Sequence, residues 1–296
     1  MSWQPDAPNP CVPERLQDVC SLYVTYSFAN TCRARCPYCF ADPGHQGFPR
    51  TWTYEEALPA WRNVAEKYGP CFLLLSGLEP LEELPFVADL LQHHYAQVCT
   101  NAMFDEEELY RLVDPDRLEI HPSFHPHLWK PLPDAERFFG KVERLLAHGY
   151  RVPLIALVGW PDWLPYWDEW VPRIQSMGIM PNPVPARNTK RPDGRPLPDS
   201  YTEEELTILR RHCNPDLFTQ QGTVPPLQIK ACAAGVATVG IVGSGEVRRC
   251  AQLPDSMGGQ NFYRDGGFTL LEEPLPCPTA RCMCNNLYPY HIQKGD

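Results

Sequence analysis

The sequence predicts an α/β fold organised around a largely parallel sheet. Three observations point to it. From Ser21 onward β-rich runs alternate with helical patterns, the apolar runs are strand-length, and capping signals open two of the helices. Strands are expected at residues 21–28, 71–75, 96–100, 117–124, 151–158 and 179–185, with helices at 55–68, 84–94, 105–113, 134–148 and 163–177 between them. Six strands separated by five helices imply parallel pairing through right-handed crossovers. Periodicity does not distinguish a curved or closed sheet from an open one.

Each element has its own support. The first helix opens on Thr53-x-x-Glu56, a capping box, and carries Leu58, Trp61, Ala65 and Tyr68 on one face. The apolar runs at 72–75 and 152–158 suit buried strands. Gly149 closes the fourth helix. Trp163, Trp167 and Trp170 recur at i, i+4 and i+7 along the fifth, a stripe expected to pack on the sheet, with a sugar-stacking wall as the alternative. The prolines and charges of 181–199 indicate an irregular excursion, after which Thr202 and Glu205 cap a further helix. Residues 236–242 and 246–250 flank Gly243-Ser244-Gly245, a hairpin turn.

Composition narrows the functional classes. A formal net charge of −10 over 296 residues argues against nucleic acid or anionic membrane as partner, because both require clustered Lys and Arg. No run is long and apolar enough for a membrane span, and residues 1–10 lack the basic and apolar stretches of a secretory signal, so a soluble cytoplasmic protein is expected. Thirteen cysteines, an odd number, fit a disulfide framework poorly in that setting. Eight of them fall into two groups, where soft sulfur ligands favour zinc or iron–sulfur centres.

The first group is Cys32-Arg-Ala-Arg-Cys36-Pro-Tyr-Cys39, a C-x3-C-x2-C spacing just after the first strand. Three thiolates on one tight loop can hold three irons of a cubane and leave the fourth iron open. Structural zinc normally takes four protein ligands, and His45 is the only nearby fourth candidate.

This loop resembles the radical S-adenosylmethionine (SAM) superfamily signature C-x3-C-x-aromatic-C, with Tyr38 in the aromatic position. A second motif agrees: Ser76-Gly77-Leu78-Glu79-Pro80 directly follows the strand at 71–75, where that family has a Gly-Gly-Glu-Pro-like element for the SAM amino group. Leu78 departs from the pattern at the second glycine. The resemblance implies a partial (β/α)6 TIM-like barrel over 21–200, with an N-terminal extension at 1–20 and chemistry at the C-terminal strand ends. It makes Cys32, Cys36 and Cys39 ligands of a SAM-binding [4Fe–4S] cluster. Tyr38, Ser76, Gly77, Glu79 and Pro80 become SAM contacts, and Thr100, Asn101, Ser123, His125, Arg187 and Asn188 strand-end candidates. Of His121, His125 and His127, at most one is expected to reach the site. An electron donor such as flavodoxin or ferredoxin is implied as a partner.

The second group comprises Cys232, Cys250, Cys277, Cys282 and Cys284. With Gly245 five positions before Cys250, it resembles the Twitch and SPASM domains that hold auxiliary [4Fe–4S] clusters. The resemblance implies a small cluster-binding module at 229–296 containing the β-hairpin, joined by a linker helix at 201–228. Five cysteines for four ligand positions leave a spare thiol, Cys277 or another, as a hydrogen-atom donor; Cys250 is also placed with the catalytic candidates. Cys11, Cys20, Cys71, Cys99 and Cys213 show no ligand spacing and read as buried free thiols. Only 31 residues precede Cys32, too few for the recognition domain of many peptide maturases. The expectation is therefore a small sugar-like or aminocyclitol substrate, epimerised or dehydrogenated. Alternatives are a peptide- or protein-modifying maturase and, from another class, a non-catalytic iron–sulfur or zinc scaffold.

Overall fold

The computed structural model describes residues 12–39, 50–129, 135–186, 189–191, 193–213, 229–250, 256–276 and 291–294. In chain order its strands and α-helices are β1 (Tyr23–Ala29), α1 (Tyr54–Tyr68), β2 (Phe72–Gly77), α2 (Leu84–Leu91), β3 (Tyr95–Thr100), α3 (Glu106–Leu112), β4 (Leu118–Phe124), α4 (Glu136–Ala147), β5 (Leu154–Gly159), α5 (Trp167–Ser176) and β6 (Met180–Pro185). There follow β7 (Thr189–Lys190), β8 (Pro196–Leu197), α6 (Glu203–His212), β9 (Ile229–Cys232), β10 (Thr238–Ile241), β11 (Glu246–Arg248), β12 (Ser256–Asn261) and β13 (His291–Lys294). The six expected strands and five expected helices are all present. The chain divides into two compact units. One is Met1–Asn30, Phe48–Gln97 and Thr223–Asp296; the other is Thr31–Gly47 and Val98–Gly222.

In the first unit β1 lies between two parallel partners. Tyr23 pairs with Phe72 of β2 on one side and with Thr238 of β10 on the other. β10 turns through Gly243–Gly245 into antiparallel β11, which pairs with β12. The expected hairpin is there. Gly245 is obligatory in it, since its φ is +84° and a Cβ would lie 2.4 Å from the Tyr263 ring. β9 pairs separately with β13.

Helix α1 is entered as expected, with the Glu56 carboxylate accepting from the Thr53 N–H at 2.8 Å. Its buried face is rotated by about one residue from the expected one. Ala57, Ala60, Trp61 and Val64 point inward, with Ala60 and Val64 close to the Gly267 backbone and Trp61 against Tyr26. That face joins Tyr26, Phe86 and Phe262 in an aromatic core, in which Tyr26 and Trp61 meet edge-on at 5.0 Å. His94 is buried among these elements with both ring nitrogens used. Nδ1 accepts from the Cys71 N–H and Nε2–H donates to the Trp61 carbonyl, each at 3.1 Å.

In the second unit the strand order is β4-β5-β6, with both pairs parallel. The alternating Pro181, Pro183 and Pro185 place β6 at the edge, where their missing N–H groups deprive no neighbour of a bond. The fifth helix begins later than expected: Pro161 and Pro165 hold Pro161–Tyr166 in a 3-10 helix, and α5 proper starts at Trp167. Trp167 and Trp170 are 0% and 1% exposed, and Trp170 packs edge-on against Phe124 at 4.8 Å. The tryptophan stripe is core. Part of the excursion at 181–199 forms the short β7–β8 hairpin. α6 carries its full capping box, Glu205 N–H to Thr202 Oγ1 at 3.3 Å and Thr202 N–H to Glu205 Oε2 at 2.8 Å, and Arg191 grips the same carboxylate with two bonds at 2.8 and 3.0 Å. Among the described residues no helix is long and apolar enough to cross a membrane.

Of the cysteines without ligand spacing, Cys20, Cys71 and Cys213 are buried as expected. Cys99 is exposed, a correction that follows from strand alternation: its neighbours Val98 and Thr100 on β3 face inward, so Cys99 faces out. Cys11 lies outside the described residues.

Candidate cluster and cofactor site

The cysteine loop lies in the second unit. Arg35 turns it by adopting a left-handed conformation, φ +50°, and the Cys39 N–H closes the next turn on the Cys36 carbonyl at 3.1 Å. Cys32, Cys36 and Cys39 are all half-buried thiols. Burial pushes the Cys36 thiol up to about 12; a hydrogen bond with Tyr38 offsets part of the rise, and Cys32 and Cys39 add to it. Three soft, half-buried thiols on one tightly turned loop are a donor set that fits an iron–sulfur cluster. Among the described residues no three His, Cys, Asp or Glu side chains close around a single metal ion; a cubane spreads its thiolates over separate irons. His45 lies outside the described residues.

Tyr38 is 6% exposed and enclosed by four rings: His125 and His127 at 5.7 and 6.0 Å, Trp160 and Trp163 at 5.5 and 5.1 Å between centroids. Its hydroxyl meets His125 Nδ1 in a short hydrogen bond. Burial, with His127 nearby, lowers His125 to about 3, so its ring is neutral. All three groups are satisfied when His125 Nδ1–H donates to the tyrosine oxygen and the phenol O–H donates to Cys36. His127 Nε2–H donates to the Ala34 carbonyl at 3.2 Å and stacks on Trp163 at 5.6 Å. Two of the three histidines, His125 and His127, flank Tyr38 and brace the loop. Their partners lie 87 and 93 residues away in sequence, and the only local signal was position after a strand.

Asn101 follows β3 in a sharp turn. Ala102 has φ +62°, its N–H donates to Thr100 Oγ1 at 3.1 Å, and Asn101 Oδ1 accepts from the Met103 N–H at 2.8 Å. The other end of the amide, Nδ2, donates to Cys32 Sγ at 3.5 Å. Ser123 is half-buried on β4, paired with Ala156 of β5. Arg187 and Asn188 lie outside the described residues.

The Ser76–Pro80 element belongs to the first unit. Gly77 has φ +123° and packs its backbone on Ala29 so tightly that a Cβ would lie 2.3 Å from the Ala29 oxygen; the Leu78 N–H donates to that oxygen at 2.8 Å. Ser76 Oγ reaches the Tyr26 carbonyl at 3.5 Å. Glu79 is 2% exposed and turns back to cap the 3-10 helix that starts at Pro80, accepting from the Leu81 N–H at 3.2 Å.

Of the second cysteine group, Cys232 and Cys250 are described, and both are buried thiols. The Cys232 N–H donates to the Leu275 carbonyl at 2.9 Å. Arg249, next to Cys250, donates to the carbonyls of Ala234, Leu275 and Pro276 at 3.2–3.4 Å. The backbone beside Cys232, Cys250 and the residue preceding Cys277 is thus drawn together. Cys277, Cys282 and Cys284 lie outside the described residues.

Fold and site define an α/β protein with a three-thiol loop directly after its first strand. No family model matches the chain, and no curated protein matches it. Among solved structures it is similar to native anSMEcpe with bound AdoMet, at 14% identity over 82% of this chain and 78% of that one, with a TM-score of 0.54. The polyhistidine-tagged form with AdoMet gives 0.51 at the same identity and coverage. Native anSMEcpe with AdoMet and the Kp18Cys peptide gives 0.50, at 14% identity over 83% of this chain and 82% of that one. At such identity the likeness is one of fold.

Proposed function

We propose that this chain is a radical SAM enzyme that modifies a peptide or protein substrate. The observation that carries the reading is the Cys32–Cys36–Cys39 loop, three half-buried thiols on one tightly turned segment, each of a type that iron binds. A [4Fe–4S] cluster and SAM, when bound, would supply reductive cleavage of the sulfonium and hydrogen abstraction from a substrate carbon.

The chain's own residues do the rest. Cys32, Cys36 and Cys39 hold the cluster, Tyr38 orients Cys36, and His125, His127, Trp160 and Trp163 keep that side of the loop dry and fixed. The Ser76–Pro80 element, with its backbone set by the close approach of Gly77 to Ala29, takes the SAM amino group. Cys232, Cys250, Cys282 and Cys284 hold an auxiliary cluster, which leaves Cys277 as a thiol for the substrate radical.

A peptide substrate is supported by the fold shared with an enzyme solved with a bound peptide. The sugar-like reading loses its one structural argument, because Trp163, Trp167 and Trp170 are 5%, 0% and 1% exposed and offer no wall for a ring to stack on. Anaerobically reconstituted protein is to be incubated with SAM, dithionite and either a cysteine-containing peptide or an aminocyclitol. The reading expects 5′-deoxyadenosine in both and a mass change in the peptide alone. A changed aminocyclitol beside an unchanged peptide overturns the substrate class; no 5′-deoxyadenosine in either overturns the enzyme class.

A further inference from the structure

The three cysteines of the loop are not equivalent. Cys32 Sγ accepts two N–H groups, the backbone N–H of Ala34 at 3.4 Å and the Asn101 amide at 3.5 Å. The second donor is placed with unusual care. Met103 N–H occupies Asn101 Oδ1, which fixes which end of the amide faces the sulfur and rules out the flipped arrangement. The turn that aims it holds Ala102 at φ +62°, a conformation alanine avoids, secured by its N–H bond to Thr100 Oγ1. Asn101 is 6% exposed and Thr100 3%, so little water competes for the donor.

We propose that Asn101 is a positioning residue that acts through Cys32 to set the reduction potential of the SAM-binding cluster. The proposal rests on the function proposed above. A hydrogen bond to a cluster thiolate withdraws charge from the sulfur and stabilises the more negative, reduced cluster, so its loss makes one-electron reduction harder. No proton transfer is involved; Asn101 acts as a fixed dipole on the ligand.

The test is an EPR-monitored redox titration of reconstituted full-length protein, following the signal that changes when SAM is added. Asn101→Leu removes the donor without adding charge; Asn101→Asp keeps the acceptor for Met103 N–H and puts a carboxylate oxygen where the donor was. For Asn101→Leu the ratio of reduced to oxidised cluster at fixed potential is expected to fall about tenfold, ~59 mV for a one-electron couple. Asn101→Asp should shift further in the same direction, at unchanged iron content. Both variants loading fully with the wild-type potential overturns the inference while leaving the enzyme assignment intact. Should a variant fail to load, wild-type protein with 15N in its asparagine side chains decides: an amide-nitrogen hyperfine coupling to the SAM-responsive cluster is expected, and its absence refutes the hydrogen bond. A wild-type protein with no SAM-responsive signal removes the assignment and this inference with it.

Discussion

Gly77→Ala tests the geometry at the ends of β1 and β2. The new Cβ would stand 2.3 Å from the Ala29 oxygen, 2.7 Å from its nitrogen and 3.0 Å from its carbonyl carbon, all backbone atoms that cannot swing aside. The φ of +123° adds strain of about 1–3 kcal/mol for any L side chain. Relieving the clash costs about 1–3 kcal/mol more by analogy with overpacked cores. Parting the strands also threatens the Leu78 N–H bond to Ala29, worth about 1 kcal/mol. The sum, about 3–7 kcal/mol, is a large share of the ~5–15 kcal/mol that stabilises a typical domain. Gly69→Ala is the control: φ is +78° there, but nothing lies within 4 Å of the added Cβ, so only the strain applies. Denaturant titration of the two variants and the wild type should give a far lower midpoint for Gly77→Ala than for Gly69→Ala. Equal midpoints would refute the close approach of Gly77 to Ala29.

Three further outcomes are expected. His94→Leu strands the buried Cys71 N–H and Trp61 carbonyl and should cost about 2–6 kcal/mol at one to three per group, read as a fall in Tm. Burial works to raise the Glu205 carboxyl, but Arg191 and the Thr202 N–H outweigh it and hold the group below the usual carboxylate range. Its stabilisation is therefore complete above the unfolded carboxylate pKa and lost as pH falls through the lower folded value. Glu205→Gln should cost about 1–3 kcal/mol near neutrality, and the gap to wild type should close in acid, as thermal melts across pH will show. Replacing Cys232 and Cys250 by alanine should reduce iron to the content of a single cluster while the SAM-responsive EPR signal survives; iron and sulfide analysis checks it.

Much of the fold was legible because its signals are local. The capping boxes at Thr53 and Thr202, the apolar strand runs and Gly149 each depend on a few neighbouring residues, and the elements stand within a few positions of expectation. What escaped depends on distant chain. Nothing around Val239 says that β10 will lie parallel to β1, because a strand with both faces buried carries no partner address. The late start of α5 was written in Pro161 and Pro165, which the tryptophan periodicity outweighed. The cysteine spacing marked the site, yet the bracing of Tyr38 by His125 and His127 needed the loop and the end of β4 brought together in space. Asn101 was recognisable as a strand-end polar residue. That its amide faces the Cys32 sulfur follows only from the turn at Ala102 and the bond to Met103.

Cys32, Cys36 and Cys39 are proposed to hold a cluster that cleaves SAM. The most direct measurement is 5′-deoxyadenosine formed by anaerobically reconstituted protein with dithionite, compared with single alanine variants of these cysteines and of the exposed Cys99 on β3. Turnover in the wild type and Cys99→Ala, with none in the other three, is the predicted result. A cluster-loaded wild type that leaves SAM intact, or a Cys36→Ala variant as active as wild type, would contradict it.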